Sequence, residues 1–282
     1  MLEKKNIIFL GAGSMAEAMI SGIVNGNKVP KNQLYVSNKS NRLRLKELEA
    51  GYGIKGVSSE DVSLDEMDII FLAMKPKDAE AVMLSIKDQL QPHQLVISVL
   101  AGITTSFMEH HLQKGQQVIR VMPNTSSMIG ESATAISIGT FTDRDQVEDA
   151  KELLSCIGKV FEIEEEQMDI FTGIAGSGPA YFYYLMEHME KAGKEGGLDM
   201  ETTREVMAQT ILGAAKMILE QDESPAQLRK NVTSPNGTTA AGLAALAEHG
   251  GGKAITQAIK HASNRSNEIS SELQRKLLAK AQ

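Results

Sequence analysis

The sequence predicts an α/β domain with a doubly wound, mostly parallel sheet, followed by an all-α domain. Three observations support this prediction. Short apolar runs alternate with helical patterns as far as residue 163, a glycine-rich turn follows the first run, and only helical patterns appear afterwards. Strands that alternate with helices imply a parallel sheet with right-handed crossovers and helices on both faces. We therefore predict two domains, residues 1–163 and residues 164–282.

The first strand is predicted over residues 5–10, because the apolar run from Ile7 to Leu10 stops abruptly at Gly11. Apolar residues at helical spacing follow the turn and predict the first helix. The other elements predicted in this domain are helices over residues 41–50 and 143–157 and strands over residues 33–37, 68–74, 95–100, 118–122, 133–138 and 160–163.

The second domain is predicted to be entirely helical. Its alanine-rich faces, such as residues 211–215, allow helices to approach closely, and a helical domain without a sheet of its own often packs against another subunit. Dimerisation is therefore a hypothesis at this stage. The helical patterns cover residues 167–174, 179–192, 202–220, 226–231, 239–249 and 252–279.

Composition argues against several classes of protein. The chain has 282 residues, more than one hydrophobic core usually supports. Its net charge of −7 and scattered basic residues argue against a nucleic-acid partner. No segment is apolar over a membrane-spanning length, and the single cysteine, Cys156, cannot form an internal disulfide. We therefore expect a cytoplasmic protein with neither a membrane nor a nucleic-acid partner.

The turn after the first strand has the pattern of a dinucleotide-binding site. Gly11 permits a tight turn, Gly13 lets the backbone approach a pyrophosphate, and Ala16 lets the next helix pack closely. That helix would aim its first N–H groups at the anion. A plain strand-to-helix connection is the alternative. The predicted cofactor contacts in this turn are Gly11, Ala12, Gly13, Ser14, Met15 and Ala16.

The end of the second strand favours NADP(H) over NAD. A site for NAD usually has an acidic residue there, which accepts hydrogen bonds from the ribose hydroxyls, and residues 35–42 contain none. Ser37 and Asn38 can instead donate hydrogen bonds to a ribose phosphate. Lys39 and Arg42 can supply positive charge, although a solvated helix start is the alternative interpretation. NAD is the weaker candidate cofactor.

The strand over residues 68–74 ends at the edge where open α/β sheets bind ligands. Pro76 stops this strand, and Lys75 would hydrogen-bond a ribose or orient the carboxamide end of the cofactor. An ordinary surface turn is the alternative interpretation of the Lys-Pro pair. Two other predicted strands end at the same edge. The predicted cofactor contacts here are Ala73, Met74, Lys75, Pro76, Ala101 and Asn124.

Five motifs follow one another along almost the whole chain: the glycine turn and residues 73–76, 122–124, 176–180 and 232–239. Together they resemble the pyrroline-5-carboxylate reductase family, and the last motif is the most specific. The resemblance implies an N-terminal Rossmann domain, a C-terminal helical dimerisation domain and an active site between them. It also implies NADPH-dependent reduction of 1-pyrroline-5-carboxylate to L-proline, the last step of proline biosynthesis, by a homodimer or a ring of dimers.

The last motif also suggests its own chemistry. Residues 234–237 are turn-forming, and Thr238 or Thr239 would cap the next helix, so that backbone N–H groups converge there. A carboxylate cradle is one interpretation and a well-capped helix is the other. The resemblance implies that amides 236–239 bind the substrate carboxylate, that the Thr239 hydroxyl reaches the ring nitrogen, and that the start of another helix, at Ser177 and Gly178, shapes the pocket. Thr239 and Lys75 are the predicted catalytic residues. The predicted substrate contacts are Ser234, Asn236, Gly237, Thr238, Thr239, Ser177 and Gly178.

Other chemistries have weaker support in the sequence. Of the six histidines, His110 and His111 are adjacent and would diverge on a helix, and the other four lack acidic or cysteine neighbours at ligand spacing, so no metal site is predicted. Cys156 is more typical of core packing than of a nucleophile. A β-hydroxyacid dehydrogenase is one alternative, but Lys191, Lys194 and Lys216 lack the setting of its general base. A non-catalytic dinucleotide-binding regulator is another, and the intact loop at residues 234–239 argues against it.

Overall fold

The computed structural model describes residues 2–278, and the strands within them form one sheet. The sheet contains β1 (Ile7–Leu10), β2 (Leu34–Asn38), β3 (Lys55–Ser58), β4 (Ile69–Leu72), β5 (Leu95–Ser98), β6 (Gln117–Met122), β7 (Ser132–Ile138) and β8 (Gly158–Glu162). Their order is β3-β2-β1-β4-β5-β6-β7-β8. Every neighbouring pair is parallel except β6 and β7, which are antiparallel. The predicted doubly wound, mostly parallel sheet is confirmed.

Side-chain caps start two helices of the sheet domain near the predicted positions. The Asn41 side chain accepts the amide of Arg44 at 3.0 Å, and Asp143 accepts the amide of Gln146 at 2.9 Å. The α-helices of the whole described chain are α1 (Ser14–Gly26), α2 (Arg42–Tyr52), α3 (Ala79–Ile86), α4 (Thr105–His111), α5 (Arg144–Leu154), α6 (Met168–Phe171), α7 (Gly178–Glu195), α8 (Met200–Glu220), α9 (Pro225–Asn231), α10 (Thr238–Glu248) and α11 (Gly251–Leu278).

The core lies in two layers, one on each face of the sheet. All residues of β1, β4 and β5 are buried, as expected for central parallel strands that are covered on both sides. Apolar residues of α1, α2 and α5 pack into one layer, and those of α3 and α4 pack into the other. This packing holds the carboxyl ends of the central strands at a rigid edge.

The predicted strands are all present, but β3 was missed. Its four residues are exposed or only half-buried, one of them is Gly56, and the strand lies at the edge of the sheet beside β2. The apolar signal that identifies a central strand is therefore missing there. Described residues after Glu162 contain helices and no strand, as predicted, while Ala279, at the end of the last predicted helical pattern, lies outside the described residues.

The chain packs as two compact units. Among the described residues, one unit contains the chain up to Ser177 together with the segment from His261 onward, and the other is Gly178–Lys260. Within the first unit, the α6 residue Asp169 accepts hydrogen bonds from Ser266 Oγ at 2.7 Å and Asn267 Nδ2 at 3.0 Å. These bonds explain why the later part of α11 belongs to the sheet-containing unit. The domain boundary after residue 163 stays a prediction.

Candidate active site

The order of the strands defines where a ligand can bind. The chain runs outward from β1 through β2 to β3, and outward in the other direction from β4 through β5. Ligands of open α/β sheets bind beyond the carboxyl ends of the strands at such a reversal. The glycine turn follows β1, and the Ala73–Pro76 segment follows β4, so two predicted cofactor segments meet at this point.

Gly11 lies where the carboxyl ends of β1, β2 and β4 meet. Its amide donates to the Ser37 carbonyl at 2.9 Å, and its φ of +120° is one that residues with a side chain rarely adopt. A Cβ atom at this position would overlap the backbone of the neighbouring turn, coming within 2.7 Å of the Met74 amide nitrogen. Only glycine lets the backbones after β1 and β4 approach this closely.

Gly13 and the start of α1 form a surface suited to an anion. Gly13 is the N-cap of α1 and no side chain caps the helix, so its first-turn amides have no side-chain acceptor among the described residues. A Cβ atom on Gly13 would meet no atom within 4 Å, so the space beside this backbone is open. Ala16, in the first turn of α1, is fully buried, and its small side chain allows the helix to pack closely there. These features fit the pyrophosphate of a dinucleotide.

The predicted ribose-phosphate side has both exposed and buried residues. Ser37 is buried, and Asn38 Oδ1 accepts the amides of Ser40 and Asn41 at 3.2 Å each. The Asn38 side chain therefore shapes the turn into α2 as well as offering its amide nitrogen. Lys39 and Arg42 are exposed, and no ion pair is seen for either of them in the part of the chain that the structure describes. Their charge is available to an anion.

Sequence analysis missed Arg44, whose Nε donates to the carbonyl oxygen of Ala12 inside the glycine turn at 3.2 Å. Arg44 is half-buried and also pairs with Glu17, a residue of the first turn of α1. The available signal was its place in the first turn of α2, three residues after the cap Asn41. That spacing alone does not show which way the side chain turns.

The remaining predicted cofactor residues lie at the carboxyl edge of the sheet. Lys75 is exposed, and its backbone is extended just before a short 3₁₀ helix that starts at Pro76. Ala101 is exposed in the turn after β5. Asn124 follows β6, is 8% exposed, and donates from Nδ2 to the Ala175 carbonyl at 3.1 Å. Asn124 thus links the sheet edge to the segment just before Ser177.

The helix start predicted at residues 176–179 is confirmed, because α7 begins at Gly178. The continuous backbone before it was not predicted: the chain is already helical there, with a π-helical turn over Thr172–Gly176 that follows α6 directly. The Ser177 amide donates to the Thr172 carbonyl at 2.9 Å, which is the i to i−5 bond of such a turn. α7 then begins at Gly178. Ser177 and Gly178 therefore lie in a continuous helical run rather than at a free helix N-terminus.

The loop before α10 also requires a correction. Neither Thr238 nor Thr239 caps the helix, because both are already helical, and Gly237 is the N-cap without a side-chain hydrogen bond. Asn236 has a φ of 60°, which asparagine tolerates better than most residues, and the Gly237 amide donates to the Ser234 carbonyl at 3.1 Å. Within residues 2–278, the first-turn amides of α10 are therefore left without a side-chain acceptor, which strengthens the case for an anion there.

Side chains elsewhere do not form a second chemical centre in the described residues. No group of three or more His, Cys, Asp or Glu side chains is placed to hold a metal ion within residues 2–278. Burial raises the pKa of the Cys156 thiol, which makes it a poorer nucleophile. None of the described helices combines the length and apolar character needed to cross a bilayer.

Comparisons with known proteins cover both parts of the chain. Residues 6–102 match the family model described as NADP oxidoreductase, coenzyme F420-dependent, and residues 165–269 match the one described as pyrroline-5-carboxylate reductase dimerisation. Pyrroline-5-carboxylate reductase 1 of Bacillus subtilis (strain 168) is 60% identical over 97% of this chain and 92% of the relative. Pyrroline-5-carboxylate reductase of Staphylococcus aureus (strain COL) is 36% identical over 94% and 97%, respectively.

Solved structures of similar proteins share the architecture. The crystal structure of Plasmodium falciparum pyrroline carboxylate reductase with NADP bound has a TM-score of 0.87 and 29% identity, covering 96% of this chain and 100% of that one. A pyrroline-5-carboxylate reductase from Coxiella burnetii has a TM-score of 0.86 and 32% identity, covering 95% and 99%.

A doubly wound sheet with a glycine turn at its reversal point, followed by a helix without a side-chain cap, fits the class of dinucleotide-binding proteins. The identity to reductases over nearly the full chain narrows this class. The chain belongs to the pyrroline-5-carboxylate reductase family, it is an NADP-dependent oxidoreductase, and its helical region contains that family's dimerisation domain.

Proposed function

We propose that the chain reduces 1-pyrroline-5-carboxylate to L-proline, the last step of proline biosynthesis, with NADPH preferred over NADH. The observation on which the proposal rests is the loop before α10, where Gly237 leaves the first-turn amides of the helix without a side-chain acceptor in the part of the chain that the structure describes. A helix N-terminus of this kind binds a carboxylate well. The 60% identity to a pyrroline-5-carboxylate reductase over 97% of the chain supports the same reaction.

The sheet edge binds the dinucleotide, which supplies the hydride when bound. The open backbone at Gly13 and the first amides of α1 hold the pyrophosphate. Lys39 and Arg42 attract the ribose phosphate, which explains the preference for NADPH. Lys75 donates to the nicotinamide-side ribose or carboxamide. The other residues that we assign to the cofactor are Gly11, Ala12, Ser14, Met15, Ala16, Ser37, Asn38, Ala73, Met74, Pro76, Ala101 and Asn124.

The loop before α10 provides most of the proposed substrate contacts. The amides of residues 236–239 bind the substrate carboxylate, and the Thr239 hydroxyl steadies the ring nitrogen. A cyclic imine is readily protonated near neutral pH, so the chain does not need a strong acid at this point. Orientation is then the main contribution of these residues, an effect worth roughly several kcal/mol for well-placed reactants. Ser177 and Gly178 are the other residues that we assign to the substrate.

The protein works as a homodimer, which is also the unit from which a ring of dimers would be built. Many large apolar side chains of the helical unit are exposed in the single chain, among them Phe182 at 53%, Tyr184 at 61% and Leu219 at 74%. Surfaces of this kind usually contact another subunit. We place the enzyme in the cytoplasm, since its one cysteine forms no internal disulfide.

The test is steady-state reduction by the purified full chain, followed by the loss of nicotinamide absorbance. Two imines, 1-pyrroline-5-carboxylate and 1-pyrroline, are compared with NADPH and with NADH. We expect turnover with the carboxylated imine, much weaker turnover without the carboxylate, and a lower KM for NADPH than for NADH. Absence of imine-dependent turnover would remove the reductase assignment in favour of a hydroxyacid dehydrogenase or a regulator.

A further inference from the structure

The Arg44 side chain connects α2 to the glycine turn. Its Nε donates to the Ala12 carbonyl oxygen at 3.2 Å, and its guanidinium pairs with Glu17 and, at 3.2 Å, with Glu47. Glu17 also accepts a hydrogen bond from the Tyr52 hydroxyl at 3.2 Å. All five residues belong to the sheet-containing unit. The turn is thus braced from the side of α2.

The hydrogen bond from Arg44 to the Ala12 carbonyl determines the direction in which the Gly13 N–H points. The peptide bond between Ala12 and Gly13 is planar and trans, so its carbonyl and its N–H point in opposite directions. Because Arg44 holds the Ala12 carbonyl towards α2, the Gly13 N–H points away from α2. The missing Cβ of Gly13 leaves that backbone open. Without Arg44, the peptide could rotate and lose this orientation.

Charge gives Arg44 a second effect on the same turn. Glu17 lies in the first turn of α1, where a bare carboxylate would repel a pyrophosphate. The Arg44 guanidinium, which is always charged, pairs with Glu17 and so neutralises that carboxylate; the hydrogen bond to Glu17 raises the pKa of Arg44 further. Because Arg44 is paired with Glu17 and Glu47, it differs from the exposed Lys39 and Arg42, whose charge is available to a ribose phosphate.

We propose that Arg44 is a positioning residue for the part of the dinucleotide that NADPH and NADH share. It orients the Ala12–Gly13 peptide and neutralises Glu17, and so strengthens the binding of both nucleotides equally. This inference rests on the cofactor site of the proposed function. Arg44 therefore affects the binding of the pyrophosphate and does not affect the preference for NADPH over NADH.

The experiment measures binding to the full chain by titration calorimetry. The ligands are NADPH, NADH and adenosine 2′-phosphate, which contains the ribose phosphate but no pyrophosphate. Arg44→Gln should weaken NADPH and NADH alike, by roughly ten-fold, and leave adenosine 2′-phosphate unchanged. The matched control Arg42→Gln, on the same helix, should weaken NADPH and adenosine 2′-phosphate while sparing NADH.

Two results would overturn the inference. A loss confined to NADPH and adenosine 2′-phosphate would make Arg44 a ribose-phosphate ligand, and unchanged binding of all three ligands would give it no part in the site. If Arg44→Gln does not fold, Arg44→Lys replaces it; this variant keeps the charge beside Glu17 but lacks the planar fork, and should weaken both nucleotides equally by a smaller factor. Failure of the wild type to bind either nucleotide would instead remove the cofactor site itself.

Discussion

Thr239 lies at the second position of α10 and is exposed, so its hydroxyl can be replaced without disturbing a core. Thr239→Val should lower kcat for 1-pyrroline-5-carboxylate by roughly ten-fold, because the hydrogen bond that steadies the ring nitrogen is lost. The KM for NADPH should not change. Thr256→Val serves as a control, since Thr256 is an exposed threonine of α11 whose hydroxyl donates to the Gly252 carbonyl of its own helix. Wild-type kcat in Thr239→Val would exclude the hydroxyl from the reaction.

Lys39 is exposed at the end of β2, beside the turn that Asn38 shapes. Lys39→Ala should raise the KM for NADPH by roughly five-fold and leave the KM for NADH unchanged, because one charge facing the ribose phosphate is removed. The difference should shrink at high ionic strength, where exposed charges are screened. Lys46→Ala, an exposed lysine of α2, should change neither KM. An equal rise for both nucleotides would contradict a phosphate contact.

At the scale of elements, two substitutions in the glycine turn distinguish its contribution to stability from its contribution to nucleotide binding. Gly11→Ala places a Cβ atom against the backbone of Ala73 and Met74 at a strained φ, and should cost roughly 2–4 kcal/mol of unfolding free energy. Gly13→Ala has an ordinary φ of −78° and open space around the new methyl group, so its Tm should stay near the wild-type value. It should nevertheless bind NADPH at least roughly ten-fold more weakly, because the methyl group occupies the pyrophosphate position. Thermal unfolding and nucleotide titration of both variants separate the two effects.

An ion pair between α5 and β8 makes a small part of the stability dependent on pH. Glu162 accepts hydrogen bonds from Lys151 Nζ at 2.6 Å and Arg144 Nη1 at 3.1 Å, and the bond from Lys151, assisted by Arg144, lowers the pKa of Glu162. A carboxyl group with a depressed folded pKa stabilises the fold above its unfolded pKa. That contribution is lost as the pH falls through the folded pKa.

Glu162→Gln should therefore lower the unfolding free energy at neutral pH by about 0.5 kcal/mol, since the pair is partly solvated and screened. The difference between the variant and the wild type should vanish in acid, below the folded pKa of Glu162. Urea unfolding across this range measures it. Glu148→Gln is the control, because Glu148 lies farther from the same lysine, at 3.4 Å. If the difference in unfolding free energy between the wild type and Glu162→Gln grew in acid, the pKa of Glu162 would be raised in the folded state and not lowered.

Elements with a strong local signal could be predicted from the sequence. β1 and β4 are continuous apolar runs because they are buried on both faces, and Asn41 and Asp143 start helices because their side chains satisfy free amides. β3 lacks that signal because half-exposed edge residues need not be apolar. Such an element becomes visible only from its pairing with β2.

In the candidate site, too, the features with a local sequence signal could be predicted and the others could not. The glycine turn could be predicted because the backbone conformation of Gly11 requires a glycine. The contact of Arg44 with Ala12 could not, since it joins residues 32 positions apart through a flexible side chain. The cap of α10 was misassigned because threonine is usually a good N-cap, whereas here Gly237 takes that position and both threonines are helical.

At the scale of the whole molecule, the apolar surface of the helical unit is the main unexplained feature of a single chain. Val206, Leu212 and Met217 of α8 are 54%, 48% and 47% exposed, and Phe182 and Leu185 of α7 are exposed as well. A monomer rarely leaves so many large apolar side chains in water. The family's dimerisation domain covers this region, residues 165–269, which supports burial of these side chains against a second copy.

Leu212→Glu should therefore shift the protein from a dimer towards a monomer and lower its Tm, because a charge would be buried at the subunit contact. Light scattering after size exclusion measures the mass, and thermal unfolding measures the stability. Leu43→Glu is the control, since Leu43 is 75% exposed on α2 of the sheet-containing unit and should leave the dimer intact. A dimer that persists in Leu212→Glu would place the contact elsewhere, whereas a monomeric wild type would leave the apolar surface of α7 and α8 without the occupant proposed for it.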